Sequence, residues 1–133
     1  MPKNLMNTIT ENTVYHHTVH VYYDDTDFSG VVYHANYLKY FEHAREHAIG
    51  QAELVRLWQE EGLGFAVYKV EMQFADGAQF GDELDIRSYC VRQGPFRLNW
   101  FHEVWRPDGE KAAVTGMVQL VCLNRERRLI PIP

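Results

Sequence analysis

Between Val14 and Tyr23 the segment VYHHTVHVYY is rich in β-branched and aromatic residues, with Val19 and Val21 in alternation, and it predicts a strand. DDTDFSG, from Asp24 to Gly30, then breaks the pattern. From about Ala35 the period changes to three and four. Tyr37, Phe41, Ala44 and Ala48 form one stripe, flanked by Leu38, Arg45, Ile49 and Ala52. This spacing predicts the best helix of the chain. Asn36 is the nearest capping residue at its start, and Gly50 marks a stop or kink before a second helical piece, QAELVRLWQEEG.

The remaining apolar runs read as strands: FAVYKVEMQFA from Phe65, ELDIRSYCVRQ from Glu83, FRLNWFHEVWR from Phe96 and KAAVTGMVQLVCLN from Lys111. DGAQFGD, GP and PDG separate them with turn chemistry. One strand, one long helix and four strands with short antiparallel connections define an α+β class, an antiparallel sheet wrapped around a long central helix. With 133 residues the chain is expected to form one domain, 1–133, whose first twelve residues are polar and loosely held.

Composition narrows the picture. A hydrophobic share of 46% with 14% aromatic residues excludes a disordered chain. Cys90 and Cys122 each sit inside an apolar run, which favours reduced, buried thiols over a disulfide framework or a metal knuckle. The net charge of -5 and the lack of a basic stripe argue against a nucleic-acid partner. The first residues lack the apolar run of a signal peptide, and no segment approaches the ~20 apolar residues of a membrane span. No membrane insertion and a cytoplasmic location are expected.

Two constellations could carry chemistry. His43-Ala44-Arg45-Glu46-His47 matches the H-x-x-E-H pattern of one zinc-peptidase class, with the histidines at ligand spacing on a helix. At ~100° per residue, however, His43 and His47 fall near ~200° and ~240° from Phe41, on the solvent side. No downstream third ligand is evident, so no metal is expected. The acidic turn differs in kind. Capping or turn formation accounts for Asp24 and Asp25, but Asp27 is followed by the small and apolar FSGVVYH and borders an apolar cleft. A carboxylate beside a helix N-terminus sets a nucleophile or general base next to donors that can hold a developing oxyanion, which acyl transfer requires. Ser29 reads as a turn residue, and no G-x-S-x-G elbow competes.

The run YYDDTDFSGVVYHANYLKYFEHAR, from Tyr22 to Arg45, resembles the signature of the 4-hydroxybenzoyl-CoA thioesterase family of hotdog-fold proteins, particularly its bacterial branch of acyl-CoA thioesterases associated with the Tol-Pal cluster. Agreement continues more loosely through FGDELDI, RPDGEKAA and LVCLNRERRLIPIP. The resemblance implies a hotdog fold and hydrolysis of short-chain or aromatic acyl thioesters of coenzyme A or an acyl-carrier protein, with no cofactor. Asp27, three residues before Gly30, corresponds to the family's catalytic aspartate. His34 corresponds to the helix-start N–H that polarises the thioester carbonyl, and its imidazole is a further candidate for substrate contact. Gly30 and Val31 would allow close approach of the acyl group, with Tyr33 and Asn36 shaping the site. The resemblance also implies a site formed between two subunits of a homodimer or homotetramer, lined by Val67 and Tyr68 of the partner subunit. Arg92, Arg97, Arg125, Arg127 and Arg128 are candidate contacts for the coenzyme's phosphates. A non-catalytic acyl-binding or complex-forming protein of the same fold is the alternative, which turnover of acyl-CoA by pure protein separates.

Overall fold

The computed structural model describes residues 9–133, so the expectation for residues 1–8 lies outside it. Ile9 is buried in the core, and the Asn12 N–H donates to the Cys90 carbonyl at 3.0 Å. The elements in chain order are β1 (Tyr15–His20), α1 (Asn36–Ile49), α2 (Gln51–Arg56), β2 (Gly64–Phe74), β3 (Glu83–Gln93), β4 (Arg97–Trp105), β5 (Val114–Leu123) and β6 (Leu129–Ile130). A short 3₁₀ turn covers Tyr23–Asp25, and a π turn covers Leu57–Glu61. The sheet is antiparallel in the order β1-β3-β4-β5-β2, with β6 paired to β5. The two-residue β6 was not predicted, because Leu129 and Ile130 are too short a run to show a period.

Alternation on β3 and β4 sends Leu84, Ile86, Ser88 and Cys90, then Leu98, Trp100, His102 and Val104, to the buried face against α1. The helix buries Tyr37, Tyr40, Phe41, Ala44, Arg45 and Ile49. Its stripe therefore runs through Tyr40 and Arg45, while Leu38 is left exposed. The tightest approach is at Gly116 of β5, where an added Cβ would lie 2.5 Å from Cε2 of Phe41. Only a residue without a side chain admits the ring. Cys90 and Cys122 are free and buried, and burial pushes both thiols up to about 11.

The core also holds a polar chain. Nη1 of Arg45 lies 3.2 Å from Nε2 of His102, and Nδ1 of His102 lies 2.6 Å from the Ser88 hydroxyl. Because a guanidinium only donates, Nε2 is the acceptor, and the proton sits on Nδ1, which donates to Ser88. The imidazole stacks on Phe41 with ring centroids 4.5 Å apart. Burial, then the Arg45 charge, holds His102 well below the usual histidine range.

Two outcomes are expected. Gly116→Ala forces Phe41 off its seat and should cost about 1–3 kcal/mol in urea unfolding, the usual penalty for overpacking. His102 stays neutral when folded but takes a proton when unfolded, so its contribution is full above pH ~6.5 and is lost as pH falls below that value. The same sign holds for His17, which is lowered by burial and then by His47 and His43. The urea midpoint should fall between pH ~7 and ~5, less so in His102→Gln. A midpoint constant over that window would contradict the neutral core imidazole.

Candidate active site

Asp27 starts a tight turn. The Gly30 N–H donates to the Asp27 carbonyl at 3.1 Å, and the Asp27 N–H donates to the Val31 carbonyl at 2.8 Å. Gly30 has a φ of +86°, in the left-handed region, which is why glycine stands there. Bridges from Thr26 to Val32 and from Val31 to Gln79 pin the loop, and the Val32 N–H donates to the Ala78 carbonyl at 2.8 Å. The loop is thus anchored between α1 and the segment that follows β2.

One carboxylate oxygen of Asp27 is fixed and the other is open. Oδ1 accepts the Ser29 hydroxyl at 2.6 Å and the Ser29 N–H at 2.8 Å. Among the described residues Oδ2 has no hydrogen-bond partner, and no cation lies within ion-pair distance of Asp27. The Ser29 hydroxyl, followed by the Ser29 N–H and more weakly the Val31 and Gly30 N–H groups, holds this exposed carboxyl below the usual aspartate range, which already lies well below neutral pH. Ser29, which reads from sequence as a turn residue, also orients the candidate carboxylate and favours its charged form.

Asp27 opens onto a cleft of about 360 Å³ that Val31, His34, Tyr37, Phe74 and Asp76 also line. The structure therefore brings together three of the predicted site residues, Asp27, Val31 and His34. Gly30, Tyr33 and Asn36 do not line the cleft. The Tyr33 ring lies 4.4 Å from that of His34, and Asn36 Nδ2 donates to the Asp25 carbonyl at 2.9 Å. Val67 and Tyr68 lie on β2 and do not reach this cleft within one chain. Val67 is seven positions from Phe74, roughly 23 Å along the strand. Phe74, Asp76 and Gly77 were missed from sequence because they follow Asp27 by more than forty residues and match no motif. Asp76 differs from Asp27 in being paired: Arg106 and the Gly77 N–H hold its carboxyl low.

Asn36 does not cap α1. The N-cap position is Ala35, without a side-chain cap, and Asn36 is the first helical residue. The His34 N–H has no acceptor among the described residues. A helix start carries partial positive charge; the Asn36 and Leu38 N–H groups donate to the Tyr33 and Ala35 carbonyls at 2.8 and 3.2 Å, while the His34 N–H just before them stays free on the cleft that Asp27 lines. Asp25, by contrast, is built into the loop: its Oδ2 accepts the Tyr22 N–H at 2.8 Å, and its carbonyl accepts the Tyr33 N–H at 2.9 Å. His43 and His47 are exposed, and His47 stacks face to face on His17 with centroids 4.3 Å apart.

Several of the predicted phosphate contacts are otherwise engaged. Arg125 Nη2 donates to the Trp58 and Gln59 carbonyls, Arg92 donates to the Ile132 carbonyl, and Arg97 lies over the Tyr68 ring at 4.9 Å. Arg127 and Arg128 are exposed in the turn before β6.

An ionised, unpaired carboxylate facing an open helix start defines a site suited to acyl transfer. The model of the thioesterase-like superfamily matches residues 21–133, and the chain belongs to that superfamily. It is 44% identical over 85 residues to the acyl-CoA thioesterase YbgC of Helicobacter pylori, an alignment covering 64% of this chain and 62% of that protein. The chain thus matches less than two thirds of that relative's length. It is 30% identical over 122 residues to the 1,4-dihydroxy-2-naphthoyl-CoA hydrolase of Thermosynechococcus vestitus, covering 90% of this chain and 82% of that one. The crystal structure of a probable thioesterase from Bartonella henselae superimposes with a TM-score of 0.83 at 32% identity, over 91% of this chain and all of that one (100%). The hotdog fold expected from the resemblance is the fold present.

Replacing Ser29 with alanine removes the strongest donor to Oδ1. NMR titration of the Asp27 carboxyl should give a value below the ordinary aspartate range in the wild type and a higher one in Ser29→Ala. An unmoved titration would dissociate Ser29 from Asp27.

Proposed function

We propose that the chain hydrolyses acyl thioesters of coenzyme A, with Asp27 as the reacting carboxylate. The observation that carries this reading is that the free Oδ2 of Asp27 and the free His34 N–H at the start of α1 share one cleft. A thioester carbonyl placed between them accepts the His34 N–H, and the helix start favours the charge that develops on its oxygen. Asp27 then acts in one of two ways. As nucleophile it adds to the carbonyl carbon, the C–S bond breaks, the thiolate leaves and takes a proton from solvent, and water cleaves the resulting anhydride. As base it takes a proton from water, the hydroxide adds, the C–S bond breaks, and the proton passes to the leaving sulfur. Both routes need an ionised Asp27. The relatives' names support an acyl-CoA substrate, and Val31 and Phe74 give the cleft apolar walls suited to a short-chain or aromatic acyl group.

The proposed working form is a homodimer. β2 is an edge strand of eleven residues that leaves Val67, Tyr68, Val70 and Phe74 exposed. A long apolar edge seeks a partner strand. Tyr23, Phe28, Tyr33 and Phe80, from the loops around the cleft, are exposed as well. Antiparallel pairing of β2 with its copy about a two-fold axis brings the Gly64 end of one strand toward the Phe74 end of the other. That arrangement supports a role for Val67 and Tyr68 of the partner subunit in lining the cleft.

Two measurements test this reading. With free-thiol release as the assay, Asp27→Asn should lower turnover at least ~10²-fold, the low end for positioned acid–base catalysis. Asp25→Asn should lose much less. Equal losses would indicate general disruption of the turn, and wild-type turnover in Asp27→Asn would remove the mechanism. Sedimentation should show a dimer or larger assembly, and a stable, active monomer would contradict the shared site.

A further inference from the structure

Beneath the C-terminal half of α1 lies a second cavity, of about 260 Å³, which shares no lining residue with the Asp27 cleft. Ile49, Leu54, Leu57, Leu63 and Phe65 make it apolar. The π turn Leu57–Glu61 borders it, and such turns recur at functional sites. One cation stands in its wall. Arg45 is only 7% exposed, and among the described residues its one hydrogen-bond partner is the neutral imidazole of His102. Among the described residues no carboxylate lies within ion-pair distance of it.

Glu42 and Glu46 favour the Arg45 charge only from beyond contact, and a buried guanidinium without a contacting countercharge is costly; a carboxylate is the group whose planar geometry it matches in a bidentate pair. Glu42 and Glu46 also line the cavity. Glu42 is exposed and Glu46 half-buried, so water screens their charge, while their repulsion disfavours a ligand carrying several negative charges. Size points the same way. A cavity of about 150 Å³ holds benzene, so this larger one has room for a substituted ring or a medium-length chain. We propose that the cavity is a binding site for a small amphipathic monocarboxylate, an aromatic or medium-chain acid. Its carboxylate pairs with Arg45, and its apolar body lies among Ile49, Leu54, Leu57 and Phe65. Within one chain the site is separate from the reacting carboxylate, although Val67, assigned above to the partner's cleft, also lines it, and it does not require the hydrolysis proposed above.

Calorimetric titration of the full chain near neutral pH with octanoate and benzoate, each set against its neutral amide, tests this directly. At least one acid should bind ~10-fold or more tightly than its amide, since a hydrogen-bonded charge pair distinguishes them. Arg45→Gln should erase that preference, and Leu54→Trp, which fills the cavity, should weaken acid and amide alike. Asp27→Asn should leave both unchanged. Should Arg45→Gln fail to fold, the wild-type comparison and Leu54→Trp decide the matter. Acids that bind no tighter than amides, or a preference abolished by Asp27→Asn, would overturn the proposal. The second result would place the acid in the Asp27 cleft instead.

Discussion

The packing of α1 into the concave face of the sheet governs the rest of the molecule. Phe41 fits where Gly116 has no side chain and stacks on the His102 imidazole. Interiors packed to this density do not deform gradually. With the helix fixed at its middle, its two ends are fixed as well. Its start meets the Asp27 loop and the segment after β2, and its later turns carry Arg45 to the second cavity.

At the first end, the site uses few parts. Ser29 occupies one oxygen of Asp27 and leaves the other open, and α1 begins without a side-chain cap. Each feature is unfavourable in isolation, since among the described residues the His34 N–H and the second oxygen of Asp27 both lack partners. Together they form a donor and an anion facing one cleft, the arrangement that the proposed thioester hydrolysis needs. The contrast with Asp76 is instructive. That carboxylate lines the same cleft, but its ion pair with Arg106 commits it to holding the loop.

Much of this was legible in the sequence, for identifiable reasons. The change from a two-residue to a three-and-four-residue period at Ala35 located α1, and runs of β-branched and aromatic residues bounded by turn residues located five of the six strands. Asp27 stood out because apolar residues follow it. What local pattern could not show was long-range partnership. Arg45 looks like one more charge on a helix flank, yet it is buried, and only the fold brings His102 to it from β4. Phe74 and Asp76 join the cleft only through the return of the chain after β2. Ile9 was not expected in the core because one buried side chain leaves no periodic trace.

The central relation, a thioester held between Asp27 and the start of α1, is tested most directly by a crystal structure of the Asp27→Asn variant with intact acyl-CoA. The thioester oxygen should lie ~2.7–3.1 Å from the His34 nitrogen, as for a bound oxyanion precursor, with the carbonyl carbon facing the side chain at position 27. A thioester bound away from both groups, in the Arg45 cavity or elsewhere, would contradict it.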